Sequence, residues 1–202
     1  FTAATQLVFF FFFYSEKTEF GTDELAKSLN VSSMTILRAM EELKHLNIIK
    51  QGIAGKTGRK KLYAPIEKKN YYRIGKEYLV NPVNTSFYVD DIPDGITIYK
   101  AGETALSEQT MLAEPAHEVF ATYEKRTSFV NHIVTKAQAL VEGLPEIQIM
   151  QYDIGRLTKN QYVDPVSLLM SITRKDDRTD IAIDELMEGA EWYEKKKNLK
   201  NT

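Results

Sequence analysis

The chain has 202 residues, 43% apolar and 27% charged, enough for one large domain or two small ones with ordinary globular cores. It contains no cysteine, so structural disulfides, thiolate metal sites and cysteine nucleophiles are excluded. The formal net charge is only -2 but is unevenly spread. Between Lys44 and Lys69, the basic residues Lys44, Lys50, Lys56, Arg59, Lys60, Lys61, Lys68 and Lys69 stand against Glu67 alone. Between Asp90 and Glu118, the acids Asp90, Asp91, Asp94, Glu103, Glu108, Glu114 and Glu118 face Lys100 alone. A basic module joined to an acidic one can meet phosphates with one half and avoid them with the other.

Residues 3–15 read as a first helix. Its run Leu7-Val8-Phe9-Phe10-Phe11-Phe12-Phe13-Tyr14 is too short to span a bilayer, which needs about 20 apolar residues. It also lacks the basic flank and small-residue cleavage site of a leader. A helix covered on more than one side is the expectation, with no membrane and a cytoplasmic location. An interfacial or dimer-forming helix is the alternative. Phe1 is an unusual first residue, which leaves room for a preceding segment.

After Gly21, Thr22 reads as an N-cap and Asp23 and Glu24 occupy a first turn that favours acids. Leu25, Ala26 and Leu29 give the apolar face of a short second helix, and Asn30 is a natural stop. Val31 packs inward, and Ser32 or Ser33 caps a third helix. Its buried stripe is Ile36, Met40 and Leu43, with Leu37 beside it. Ser33, Thr35, Arg38, Glu42 and His45 fall nearer the open side. Residues 47–51 and 61–64 read as strands around a basic, glycine-punctuated hairpin tip, and residues 65–70 as a linker.

Beyond the linker, strands are expected at 78–80, 87–89, 96–99, 118–123, 129–134 and 146–150. A helix is expected from Ala101 to about Leu112, another from Asp164-Pro165 through Ile172, and a third from about Asp180. Residues 195–202 read as a polar, fraying end. Tyr71, Tyr72 and Tyr78 are expected to pack the linker against the second domain. Trp192-Tyr193 is expected to dock the last helix or complete a dimer. The fold class is α+β. An N-terminal winged helix-turn-helix over residues 1–69 is followed by a mixed α/β domain over 70–202.

A short helix, a sharp turn and a helix opening on small hydroxyl residues can enter a major groove N-terminus first. Thr35 and Arg38, one turn apart, are the expected base-edge contacts, and Ser33 is placed at phosphate or base. Lys56, Arg59, Lys60 and Lys61 on the hairpin would hold phosphates or reach the minor groove. Glu41 and Glu42 count against close phosphate contact unless they point away. Comparable helix triplets with a hairpin also serve as protein-binding modules.

The stretch Phe20-Gly21-Thr22-Asp23-Glu24-Leu25-Ala26-Lys27-Ser28-Leu29-Asn30-Val31-Ser32, with Glu41-Glu42-Leu43 and the hairpin, resembles bacterial winged-helix regulators of the MarR-like kind. The resemblance covers about a third of the chain and implies a dimeric repressor of double-stranded DNA. The strand-rich remainder departs from that family. Residues 98–106 and 162–169, with Asp177-Arg178 and Ala182, resemble AbiEi-like antitoxins, which pair a winged helix with a nucleotidyltransferase-related domain. That resemblance implies autorepression and a protein toxin as partner.

A working nucleotidyltransferase needs a carboxylate pair to hold a divalent metal against a triphosphate. Residues 118–123 lack the alternating acids, Asp90 and Asp91 are neighbours that tend to point apart, and Asp176 and Asp177 read as a loop or helix cap. His45, His117 and His132 are scattered and make no metal or triad motif, and Gly52, Gly55 and Gly58 are turn glycines without P-loop order. The expectation is therefore an operator-binding repressor or antitoxin-type autoregulator, not an enzyme, without cofactor. A nucleotidyltransferase-related enzyme and a protein-interaction adaptor are the alternatives.

Overall fold

A computed structural model describes residues 1–54, 60–173, 176–190 and 192–193, with Ala54 and Lys60 described by their backbone alone. The fold is mixed α+β, with eight α-helices and two sheets among the described residues. Helix α1 spans Ala3–Tyr14, with Thr2 as N-cap accepting from the Thr5 N–H at 3.1 Å. Its Phe9 and Phe10 are fully buried, and Leu7, Val8, Phe12 and Phe13 nearly so. Phenylalanine is a mediocre helix former, so packing on every side supplies what propensity does not.

A two-residue strand β1 (Phe20–Gly21) leads into α2 (Thr22–Leu29). Gly21, not Thr22, is the N-cap. Its N–H is met by the Glu24 carboxylate at 3.4 Å, so the acid supplies half of a capping box and Thr22 lies inside the helix. Asn30 ends α2 in the left-handed region at φ 54°, with the Val31 N–H returning to the Ala26 carbonyl at 3.0 Å. Helix α3 (Ser33–His45) follows after three residues, capped by Ser32, whose Oγ accepts from the Thr35 N–H. Strands β2 (Ile49–Ala54) and β3 (Lys60–Pro65) then pair antiparallel, and β1 adds to the far side of β3.

Of the residues read as a linker, Pro65 ends β3 and the last three are helical. Helix α4 (Lys68–Gly75) begins within them, capped by Glu67, which accepts from the Lys69 and Asn70 N–H groups. Those bonds hold the Glu67 carboxyl below its usual range. Tyr71 and Tyr72 are buried, as packing requires. The Tyr71 ring stacks on Phe9 at 4.5 Å and its hydroxyl donates to the Phe9 carbonyl at 3.2 Å.

The second sheet has the order β5-β6-β8-β4-β7. Its strands are β4 (Val83–Val89), β5 (Tyr99–Lys100), β6 (Val119–Thr122), β7 (Ile133–Val134) and β8 (Glu146–Met150). Strands β6 and β8 run parallel and the other pairs antiparallel. Several expected elements are shorter or different. Of the strand expected at 78–80, Tyr78 ends a 3₁₀ turn and residues 79–80 lie in no strand, residues 96–98 lie outside β5, and residues 126–129 are a 3₁₀ turn before β7. Helix α5 covers only Gly102–Ser107. Helix α6 (Lys136–Glu142) is unexpected from its apolar pattern, since Ala139 is its only buried residue. Helices α7 (Pro165–Ser171) and α8 (Asp177–Leu186) lie close to their expected positions. The segment 195–202 falls outside the described residues.

One buried cluster runs from α1, α2 and α3 through Tyr71 and Tyr72 into Ala105, Ala121, Met150, Val166 and Ile183. A smaller cluster of Phe87, Val89, Phe129, Ile147 and Ile149 covers the other side of the second sheet. Polar groups reinforce the junction. Gln6 of α1 donates to the Val80 carbonyl and accepts from the Val80 N–H, both at 2.9 Å, and donates to the Tyr152 hydroxyl at 3.3 Å. Tyr14 donates to Asp164 Oδ1 at 2.7 Å while accepting from the Val166 N–H at 3.0 Å. Asp164 caps α7 and is buried, which raises its carboxyl pKa against the lowering effect of bonds from Ser167 and Tyr14.

Candidate nucleic-acid interface

Helix α3 has one buried face and one open face. Ile36, Ala39, Met40 and Leu43 are buried, at the spacing that one side of a helix demands. Arg38 is exposed at the centre of the opposite side, with Met34 one turn before it and Glu41 and His45 beyond. Ser33 is exposed at the first helical position. Thr35 lies on the flank, half-buried, its hydroxyl engaged with that of Ser32 at 2.8 Å. The outward stripe is therefore Met34-Arg38-Glu41-His45, and Met34, 58% exposed, is the residue that sequence reasoning passed over. Its spacing of four from Arg38 was the available signal.

Glu42 is not on the open side. It is half-buried and accepts from the Thr5 hydroxyl of α1, so it ties α3 to α1. Glu41 does face outward, and Lys44 offsets its charge at 3.3 Å while also reaching Gln51 of β2 at 3.1 Å. The orphan N–H groups at the start of α3 are met only in part by Ser32, and the first turn carries no acid. This end of the helix thus suits a negatively charged group.

Strands β2 and β3 stand beside α3, and Lys50 and Lys61 are exposed on them. Lys61 lies opposite Ile53, which is itself well exposed. Of the remaining expected contacts, Lys60 is placed by its backbone on β3, and Lys56 and Arg59 lie outside the described residues. Lys68 is not turned to an anion; its ammonium lies 4.8 Å from the centre of the Phe13 ring.

Among the described residues no group of three or more histidines and carboxylates is placed to hold a metal ion. Asp90 pairs with His132 at 3.0 Å, Asp91 accepts from the Ile92 N–H, and Asp176 is the N-cap of α8. His117 approaches Glu146 at 3.9 Å, and His45 sits exposed at the end of α3. No described helix is long and apolar enough to cross a membrane. No protein-family model, curated protein or solved structure matches the chain.

Proposed function

We propose that this chain is a DNA-binding transcriptional regulator. Helices α1–α3 and the strands β1–β3 would act as a winged helix-turn-helix, with α3 as the reading helix and the β2–β3 hairpin as the wing. The observation that carries the reading is the open face of α3. It leads with a helix N-terminus free of acids, presents Arg38 centrally, and stands beside a hairpin bearing Lys50 and Lys61. Arg38 would read a base edge, a guanidinium being suited to guanine O6 and N7, and Ser33 and the hairpin lysines would hold phosphates. Thr35 would contact DNA only after its hydroxyl leaves Ser32. The chain would work as an operator-binding repressor or antitoxin-type autoregulator, in a symmetric dimer matched to a palindromic site.

Fluorescence anisotropy of labelled promoter DNA across a salt series tests the proposal. Affinity should fall steeply as salt rises, because phosphate contacts release counterions. Arg38→Ala should remove about 1–3 kcal/mol of binding free energy, and Lys61→Ala should weaken all sequences alike and reduce the salt slope by about one. Absence of binding at low salt by folded protein overturns the proposal.

A protein-interaction adaptor is the second reading, and Met34 favours it. An exposed methionine at the leading end of a reading face suits an apolar partner groove better than a phosphate backbone. Under that reading Met34→Lys abolishes partner capture, whereas under the DNA reading it leaves binding intact or strengthens it.

A further inference from the structure

Strands β6 and β8 are parallel neighbours, so their carboxyl ends open side by side. Ligands of α/β sheets commonly sit at such ends. A cleft of about 310 Å³ lies there, at the small end of the range for small-molecule sites. Its walls include Tyr99, Tyr123, Glu124, Asp153 and Arg156. The local chain is fixed by its own hydrogen bonds. Thr122 Oγ1 donates to the Thr97 carbonyl at 2.7 Å and accepts from the Glu124 N–H at 3.2 Å. Asp153 accepts from the Gly155 N–H at 3.1 Å and from Arg156 Nε at 2.9 Å. A Cβ on Gly155 would overlap the Tyr99 hydroxyl, so glycine lets that ring approach the turn.

The cleft is lined by charges of both signs. Asp153 is occupied in anchoring Arg156, whose terminal nitrogens have no partner among the described residues. The Glu124 carboxylate has none either. A simple anion would meet Glu124 and a simple cation would meet Arg156. A molecule carrying both charges satisfies each, with the Tyr99 and Tyr123 rings as walls for its body.

A second cavity of about 180 Å³ shares Tyr123 and Asp153 with the first. Its other walls include Leu29, Asn30 and Val31, the turn between α2 and α3. We propose that the cleft at the carboxyl ends of β6 and β8 binds a small zwitterion of the amino-acid type, and that Tyr123 transmits its occupancy to the α2–α3 turn. Arg156 takes the carboxylate and Glu124 the ammonium. The transmission rests on the DNA-binding reading; the binding does not.

Isothermal titration of the full chain with the standard amino acids, one at a time, tests the site. At least one should bind, and Arg156→Ala and Glu124→Gln should each weaken it by about tenfold or more, the effect of losing a hydrogen bond to a charged group. Both side chains are exposed, so an unchanged melting temperature certifies folding. Binding by none of them, or binding indifferent to both substitutions, overturns the site. The same amino acid should then change promoter affinity by about 5- to 150-fold in the anisotropy assay, and Val31→Ala, which lines the second cavity and not the cleft, should reduce that change while titration finds the ligand bound as before. Promoter binding without amino-acid binding defeats the site and spares the DNA reading. Amino-acid binding by a protein that never binds DNA defeats the DNA reading and spares the site. A bound amino acid that leaves promoter affinity unchanged defeats the transmission alone.

Discussion

Helices α1 and α3 have nearly the same length, twelve and thirteen residues, and opposite relations to their surroundings. Helix α1 is covered all round. The α3 side touches it through Glu42, the α4 side through Tyr71, and the second sheet's half through Val80, Tyr152 and Asp164. Helix α3 buries one stripe and leaves Met34, Arg38, Glu41 and His45 outside. A helix buried on every side is committed to holding the fold. A helix buried on one side has a face to spare for recognition. Substitutions should therefore separate the two, with stability responding at α1 and binding at α3.

The largest expected effect is at the centre of α1. Phe9→Ala removes a fully buried ring stacked on Tyr71, and should cost about 3–5 kcal/mol in a denaturant titration. A loss below about 1 kcal/mol would break the contrast, because α1 would then be dispensable to the core. Asp164 comes next. Asp164→Ala leaves the Tyr14 hydroxyl and the Ser167 N–H without their acceptor and should cost about 1–3 kcal/mol.

Asp164→Asn keeps an acceptor and sharpens the test through pH. Burial raises the native carboxyl pKa, so the native state holds its proton more tightly than the unfolded chain. The resulting stability is fully present below the unfolded pKa and is lost as pH rises through the native one. Asp164→Asn should flatten that slope in melts taken across the acidic range. The smallest effect belongs to α3. Arg38→Ala should change stability by no more than about 0.5 kcal/mol while weakening DNA binding.

The same contrast explains how much of the fold is legible in the sequence. The run Phe9–Phe13 announces a helix covered on more than one side, and the spacing of Ile36, Met40 and Leu43 fixes the buried side of α3, hence the outward position of Arg38. Glu42 escaped that logic because its partner, Thr5, lies in another helix. Helix α4 looked like a linker because Lys68, Lys69 and Asn70 are polar and follow Pro65, while its buried face is two adjacent tyrosines. Helix α6 leaves Leu140 and Val141 exposed, so no apolar stripe betrays it. Its signals were the caps, Thr135 before it and Gly143 after it at φ 69°. Strands β1, β5 and β7 have two residues each, too few for any alternation to register. The cleft was illegible for a different reason. Glu124 follows β6 and Arg156 lies in a 3₁₀ turn beyond β8, and the two line one cleft only because β6 and β8 pair in parallel.

The chain has a single tryptophan, Trp192, and its ring packs edge-on against Phe13 of α1 at 4.9 Å and Tyr72 of α4 at 4.6 Å. Trp192 is thereby seated against α1 and α4. This gives the molecule a built-in optical gauge. Emission from one indole reports on this joint, without label or mutation. A red shift that precedes the loss of helical circular dichroism during denaturation would show the joint opening before the halves melt; a coincident change would show them melting as one cooperative unit.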